Sequence, residues 1–565
     1  MELVGDLVVV AVAALVGGIL AHRLRQPALV GYLFAGLIVG PFGFRVIHTP
    51  EQIDGLAQIG VVLLLFAIGA ELDLRALAPV RPVSLFGAPL QIALMVVIAL
   101  AVGAGFGLPL GTSLLGGFLL ALSSTTAGLK ILDVRGEMDT LHGRVALGTL
   151  IVQDLTVVPV AVLLPILSEP PERLLLALGI AAVKAAVLLA AIYLLAARAI
   201  PRGLFRVAAT GSNELFVLTV VSLALGTAFA TEVLGLSLAF GAFVAGLIVA
   251  RSDVSHRVLV ETLPLRDVFA AMFFVSVGTA IDPGLLLAAP AVILSLAAGI
   301  VVAKVLIAFG VIHGFGFSGI VALAAAATLA QVGEFSIVLG QLGQQAGLLG
   351  HAEYGTVLVV SLITIVLSAP LRAGTDQLGP RLRRLPWIGR LFAEPIAVHA
   401  DATSLNLHVV ICGYGRVGRE VADVLAGRGF RYLVIELNPH VVADLRAQGV
   451  PCLYGDASRV EVLRHAVLDR ARGLVVTIPD GRTTEGVVRA ARSLAPRLDV
   501  IARARDTAAV AELQTAGSAE VVYPEFEASL EMIRHILHRY GVSLLEIQGL
   551  LQSRRTSQYQ REHED

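Results

Sequence analysis

Three ionisable residues stand in stretches otherwise too apolar to hold them, and each could take part in moving an ion. Asp154 lies in TLIVQDLTVVPVAVLLP with no other charge nearby, Lys304 midway along ILSLAAGIVVAKVLIAFGVI, and Glu334 in LAQVGEFSIVLG. A carboxylate preceded by Gln153 and followed by Thr156 and Pro159 offers oxygen ligands to a hard, partly dehydrated alkali cation, or takes a proton instead. One group that binds either ion but not both is the minimum machinery of an exchanger. A salt bridge between two helices is the structural alternative for Asp154. Lys304 either neutralises Asp154 when no cation is there, or is a counter-ion to Glu334 or to exposed carbonyls. Glu334, beside Gly333, either touches the ion or braces a broken helix. The candidate ion and proton site is Asp154, Gln153, Lys304, Glu334, Thr125 and Thr126, with Asp154 holding the transported monovalent cation. Lys184, a fourth charge in an apolar run, reads as a snorkelling or linker-helix residue.

A second chemistry is written in GYGRVG, which directly follows the apolar run LHVVIC and opens a helical pattern. In Gly413, Tyr414, Gly415, Arg416, Val417 and Gly418, the first glycine permits a tight turn and the second lets a phosphate approach the backbone. The third lets helix and strand pack. Glu436 ends the next strand, where an acid can accept hydrogen bonds from ribose hydroxyls. Gly455 and Asp456 end the third strand at the same rim. A nucleotide-binding fold that has lost its ligand is the alternative. No substrate domain follows the sheet, so this part reads as a sensor and not an enzyme.

The elements that must position these residues divide the chain in two. Of its 565 residues 56% are hydrophobic and only 15% charged, so the bulk faces lipid, and the 57 glycines suit close helix packing. Apolar runs long enough to span a bilayer follow one another: near 4–21, 28–45, 56–71, 83–105, 112–130, 145–167, 173–197, 213–231, 234–250, 264–281, 287–312, 319–345 and 354–374. Two of them contain polar or glycine-rich stretches, LSSTTAGLK (122–130) and TLAQVGEF (328–335), expected to unwind the helix. Unwound segments in corresponding places of two halves point to an inverted-repeat transporter with a midplane site.

Alternate loops carry Arg23 and Arg25; Arg75 and Arg81; Lys130, Arg135 and Arg144; Arg198, Arg202 and Arg206; Arg251, Arg257 and Arg266. This bias places the N-terminus outside and the C-terminus inside. No cleavable signal peptide is expected, because MELVGD lacks a basic start. Residues 1–378 form the expected membrane domain, and a basic, Pro-broken linker with Trp387 covers 379–405. From Leu407, LHVVIC, YLVIEL, PCLYG, LVVTI, DVIARA and EVVYP read as strands alternating with helices, a doubly wound parallel sheet over 406–540. A polar tail is expected over 541–565. The formal charge of −1 argues against a nucleic-acid partner, and Cys412 and Cys452, in the cytoplasmic part, are expected as reduced thiols.

The segment 406–540 resembles a regulator-of-K+-conductance (RCK) N-terminal domain. That resemblance implies an adenine nucleotide at the glycine turn and strand-end acid: AMP, ADP, ATP or NAD(H). The membrane half resembles the monovalent cation:proton antiporter-2 family, its Kef-type potassium/proton branch in particular. The resemblance rests on RQPALVGYLFAGLIVGP (25–41), LLLFAIGAELDL (63–74), LSSTTAG (122–128), Gln153–Asp154, LGLSLAFGAFVAGLIVA (234–250), FFVSVGTAID (273–282) and LAQVGEFSIVL (329–339). It implies a multi-span α-helical, sodium/proton-antiporter-like inverted repeat of about thirteen spans, with a C-terminal Rossmann-like RCK domain. It further implies a homodimer in a bacterial inner membrane, an ancillary regulatory subunit, and K+/H+ exchange that a Gln-Asp pair makes electroneutral. Na+/H+ exchange is the nearest alternative. A nucleotide-gated potassium channel is the alternative from another class, but no TVGYG-type filter is present. A membrane-anchored redox sensor would leave Asp154 and Lys304 unexplained.

Overall fold

The computed structural model describes residues 2–24, 26–47, 50–71, 80–138, 140–167, 179, 199–233, 238–250, 252, 254–383, 385, 389–392, 397–398 and 405–561. They fall into two compact units: Met1–Arg135, Arg144–Phe315 and Ile320–Pro380 make the first, and Gly136–Gly143, Gly316–Gly319 and Arg381–Asp565 the second.

Among its described residues, the regular elements of the first unit are helices. Helices α1 (Glu2–Arg23), α2 (Ala28–Val39) and α3 (Pro50–Glu71) open it, and a π-helical turn at Val83–Gly87 leads into α4 (Ala88–Phe106). Then come α5 (Leu110–Ala121), α6 (Thr125–Arg135), α7 (Leu141–Leu167), α8 (Ala199–Ala209), α9 (Asn213–Val233), α10 (Leu238–Ala250) and α11 (Ser255–Thr279). The series ends with α12 (Pro283–Ala288), α13 (Pro290–Gly314), α14 (Gly319–Thr328), α15 (Glu334–Gln345) and α16 (His351–Arg383). Among the described residues, seven helical stretches are long and apolar enough to cross a membrane: Val4–Arg23, Val83–Phe106, Leu110–Arg135, Leu141–Leu164, Asn213–Val233, Pro290–Gly314 and His351–Arg383. Of the span expected at 173–197 only residue 179 is among the described residues, and Lys184 is not.

Several boundaries move for identifiable reasons. The run expected at 28–45 leaves the helix at Val39, because Gly40 is extended and Pro41 follows it. The expected unwinding over 122–130 shrinks to Leu122–Ser124, since Ser124 caps α6: its hydroxyl accepts from Ala127 N–H at 3.1 Å. The second break narrows from 328–335 to Leu329–Gly333. Helix α16 continues to Arg383, into the expected linker. Trp387 lies outside the described residues.

The unit has two kinds of packing. Helix α11 lies along α3 and α2, α10 along α3, and α1 along α2, while α4 packs on α5 and on α13 and α15 packs on α5. In the first group the backbones nearly touch: a Cβ added at Gly36 or at Gly278 would collide with the facing helix.

The second unit carries a seven-stranded sheet in the order β1-β4-β3-β2-β5-β6-β7. Strands β2 (Val409–Cys412), β3 (Tyr432–Glu436), β4 (Cys452–Tyr454), β5 (Gly473–Val476), β6 (Asp499–Arg503) and β7 (Glu520–Val522) are parallel neighbours. They match the six expected strands. An unexpected edge strand, β1 (Ala397–Val398), pairs antiparallel with β4 and falls within the expected linker. Helices α17 (Arg416–Gly427), α18 (Pro439–Ala447), α19 (Val460–His465), α20 (Gly481–Leu494) and α21 (Thr507–Ala516) connect the parallel strands.

Two more helices follow, α22 (Pro524–Arg539) and α23 (Leu544–Arg561). The segment expected as a polar tail is therefore largely helix. Ile547 and Leu551, one turn apart, bury against Leu530, an apolar stripe hidden by the polar residues around it. Both cysteines are free and buried, and burial raises the pKa of each thiol, which leaves it neutral and unreactive.

Candidate functional site

In the first unit the two unwound segments cross. Gly333 N–H donates to Leu122 O at 3.1 Å, Ser123 Oγ to Leu329 O at 2.8 Å, and Gln331 Nε2 to Ser124 O at 3.1 Å. A Cβ on residue 333 would stand 2.7 Å from the Ser123 carbonyl carbon, so the crossing needs glycine there. Backbone groups freed from a helix inside a bilayer must find partners within the protein, and these side chains supply them.

The crossing brings four helix ends together. The carbonyls of Leu120, Ala121 and Leu122, at the C-terminal end of α5, accept from Lys304 Nζ at 2.9, 2.8 and 3.0 Å. An ammonium has three protons, and three carbonyls take them. Lys304 is fully buried, and its charge complements the negative end of α5. This is the carbonyl-bound arrangement, the second of the two roles the sequence leaves open. At the N-terminal end of α6, Thr125 Oγ1 donates to Asp154 Oδ2 at 2.7 Å. The next residue, Thr126, donates its N–H and its hydroxyl to Glu334 Oε1 at 3.2 and 2.9 Å. Glu334 is itself the first residue of α15, so one carboxylate faces the positive ends of two helices.

Gln153 and Asp154 are adjacent on α7 but serve different partners. Gln153 Oε1 accepts from Ser123 N–H at 3.0 Å, which ties the first break to α7. Asp154 is only partly buried, whereas Gln153, Lys304 and Glu334 are buried. Among the described residues, three polar atoms at the crossing are buried without a hydrogen-bond partner: Gln153 Nε2, Gln331 Oε1 and Glu334 Oε2. The structure thus joins all six expected residues in one polar cluster around the crossing. Sequence reasoning missed Ser123, Gln331, Ser336 and Thr364 as participants. Ser336 Oγ donates to Leu119 O at 2.6 Å and Thr364 Oγ1 accepts from Val332 N–H at 3.1 Å. The first three sit in or next to the polar stretches, a usable signal; Thr364 sits in an apolar run and gives none.

In the second unit the glycine turn forms as expected. Gly413 adopts φ 94°, and Gly418 lies so close to Gly413 O that a Cβ would collide with it. Around Gly415 nothing lies within 4 Å of where a Cβ would stand, leaving a bare backbone that a phosphate can reach. Arg416 starts α17, Val417 follows it exposed, and the Arg419 guanidinium lies 5.6 Å over the Tyr414 ring. Glu436 grips the loop backbone: Oε2 accepts from Tyr414 N–H at 2.6 Å, and Oε1 from Leu437 and Asn438 N–H at 2.7 and 2.8 Å. Asp456 Oδ1 accepts from the N–H and hydroxyl of Ser458 at 2.9 and 2.7 Å. Open Gly415 and two acids at neighbouring strand ends fit a nucleotide's phosphate and ribose.

Residues 10–373 match the family described as sodium/hydrogen exchanger, transmembrane, and residues 409–524 match the TrkA-N domain. The chain is 36% identical over 532 residues to the Escherichia coli (strain K12) protein named as the cation/proton antiporter YbaL, covering 92% of this chain and 95% of that one. It is 32% identical over 545 residues to the Alkalimonas amylolytica protein named as the K(+) efflux antiporter KefB, covering 96% and 82%. Among solved structures, the TrkA-N domain of the E. coli inner membrane protein ybaL is 33% identical, covering 23% of this chain and 96% of that one with a TM-score of 0.23.

Proposed function

The chain belongs to the sodium/hydrogen exchanger family, with a TrkA-N domain behind its membrane part, and from that premise we propose that it exchanges K+ for H+ across the membrane by alternating access. The observation that carries this reading is Asp154, only partly buried and held by the Thr125 hydroxyl where two broken helices cross. K+ and H+ would compete for that carboxylate, so a passage in either direction carries one or the other. Lys304 holds the α5 end through three carbonyls and keeps the crossing intact in both protonation states of Asp154. Buried oxygens without donors, Gln331 Oε1 and Glu334 Oε2, offer the hard ligands an alkali cation needs. The name of the KefB relative supports potassium as the cation.

In this reading the membrane part has about thirteen spans arranged as an inverted repeat, in a homodimer with the N-terminus outside and the C-terminal domain in the cytoplasm. Spans four to six and eleven to thirteen would carry the site across against a dimer scaffold of spans one to three and eight to ten, with an ancillary subunit among the regulators. An adenine nucleotide (AMP, ATP or NAD(H)) would be held by Gly413–Gly418, Glu436 and Asp456, and would supply binding energy that differs between two conformations. The test is proton flux in proteoliposomes driven by K+ or Na+ gradients, for the native chain and Asp154→Asn. K+-driven flux that the substitution abolishes is expected. Flux driven by Na+ alone would transfer the reading to Na+/H+ exchange, and an Asp154→Asn protein that exchanges normally would end it.

A further inference from the structure

Both broken segments leave a backbone N–H that no helix turn can satisfy, and each is caught by a side chain on the helix that comes after the broken pair. In the first, Ser123 N–H is held by Gln153 Oε1 on α7. In the second, Val332 N–H donates to Thr364 Oγ1 on α16 at 3.1 Å, and that hydroxyl donates onward to Ser361 O at 3.0 Å. Helix α7 follows the α5–α6 pair as α16 follows the α14–α15 pair, so Gln153 and Thr364 take matching places in two repeats. The residue after Gln153 is Asp154; the residue after Thr364 is Ile365, fully buried. The second repeat keeps the clamp and lacks the acid.

The clamp connects to the ion site through covalent chain and hydrogen bonds alone. Gly333, next to Val332, donates to Leu122 O, and Glu334 then opens α15 and accepts from Thr126, the neighbour of the Thr125 that faces Asp154. We propose that Thr364 is a positioning residue for cation exchange: by holding Val332 N–H it fixes the backbone two residues ahead of Glu334, hence the Glu334 bonds to α6, and so the Thr125 hydroxyl at Asp154. The proposal rests on the reading of Asp154 as the ion site. Valine has the shape of threonine without the oxygen, so Thr364→Val leaves a buried N–H that must turn to find another acceptor, and the peptide turns with it.

The experiment is K+-driven proton flux by the full chain in proteoliposomes, comparing native, Thr364→Val, Thr364→Ser and Asp154→Asn. Thr364→Val is expected to raise KM for K+ about 10-fold, equivalent to about 1.4 kcal/mol, while kcat and Thr364→Ser both stay within about twofold of native. A threonine that only packs would change the yield of folded protein and leave KM where it is. Native KM in Thr364→Val overturns the proposal, and so does a shift in Thr364→Ser as large as in Thr364→Val. Should the valine variant fail to reconstitute, Thr364→Cys replaces it: a raised KM supports the hydroxyl's role, and a native one overturns it. Normal exchange by Asp154→Asn would instead remove the premise, a result separable from any outcome at Thr364.

Discussion

Glu334 and Glu436 do the same thing in two different solvents. Each is an acid at the start or end of a regular element, and each accepts backbone N–H where the chain enters or leaves regular structure: Glu334 from Thr126 in the first turn of α6, Glu436 from Tyr414, Leu437 and Asn438. Glu334 reaches across a span of sequence to Thr126, is 5% exposed and has one oxygen with no donor. Glu436 is partly exposed, and both of its oxygens accept from its own turn and the glycine turn beside it. At the rim of the sheet, water can replace any bond that is lost. At the crossing Glu334 is buried away from water, so the same bond matters more. The crossing is therefore expected to be brittle and the rim forgiving, and substitutions can be ranked by which of the two they touch.

The largest effect should come from Lys304→Met, which keeps the stem and removes the ammonium. The carbonyls of Leu120, Ala121 and Leu122 each lose the ammonium bond, with Leu122 O keeping only Gly333 N–H, for a cost of about 3 kcal/mol or more. Thermal melting of the detergent-solubilised protein should drop sharply. If Lys304→Met melts with the native protein, the crossing is not held by that clamp and its brittleness is wrong. Glu334→Gln should come next. The amide oxygen still accepts from Thr126, but the charge facing two helix N-termini is gone, a loss of about 2 kcal/mol. A melting point unchanged by Glu334→Gln would mean that the two helix ends draw no stability from that charge.

How much of this was legible in the sequence follows from the distance between partners along the chain. At the rim the glycine turn and the strand that ends at Glu436 were legible, because Gly413 to Gly418 and Glu436 lie in one βαβ unit whose spacing is fixed by local geometry, while the Glu436 bonds to the turn backbone were not. The crossing was read as a set of residues without its bonds. Thr126 and Glu334 are 208 positions apart, and no local pattern says that they meet. The same limit left two roles open for Lys304, since nothing near it in sequence marks the Leu120–Leu122 carbonyls as its acceptors. The length of the first break was overestimated because TTAGLK looks polar and flexible. Ser124, capping from outside, makes those residues the first turns of α6. Thr364 escaped because a lone threonine in an apolar helix usually bonds only its own preceding turn, which this one also does.

At the rim, Glu436→Gln puts an NH2 group against either Tyr414 N–H or the Leu437 and Asn438 N–H pair, donor facing donor. Because water can satisfy the displaced groups, the stability loss should be about 1 kcal/mol, and AMP affinity of the full chain by calorimetry should fall about 10-fold with the ribose acceptor weakened. A stability loss as large as that of Glu334→Gln would erase the contrast between the two solvents. Unchanged AMP affinity would remove Glu436 from the nucleotide site while leaving the contrast standing.

The smallest effect concerns the floor under the rim. Cys412 ends β2 just before Gly413, and burial holds its thiol pKa far above the ordinary 9.0, with the Asp456 charge adding to the shift. Folded, the thiol keeps its proton; unfolded, it loses it near the ordinary value. The unfolded chain therefore binds fewer protons above pH 9, and stability, undiminished below that pH, falls as pH rises. At pH 9.5 the loss from this one group should be about 0.8 kcal/mol, and it should vanish in Cys412→Ala. Cys452, also pushed up by burial, keeps its own share in that variant. Hydrogen exchange at the β2 amides of the full chain, corrected for the intrinsic rate at each pH, reads the difference between pH 8 and pH 9.5. An equal fall in native and Cys412→Ala would show that the floor of the rim opens to water before it unfolds. The rim would then be more forgiving still, with its β2 edge as wet as Glu436 above it.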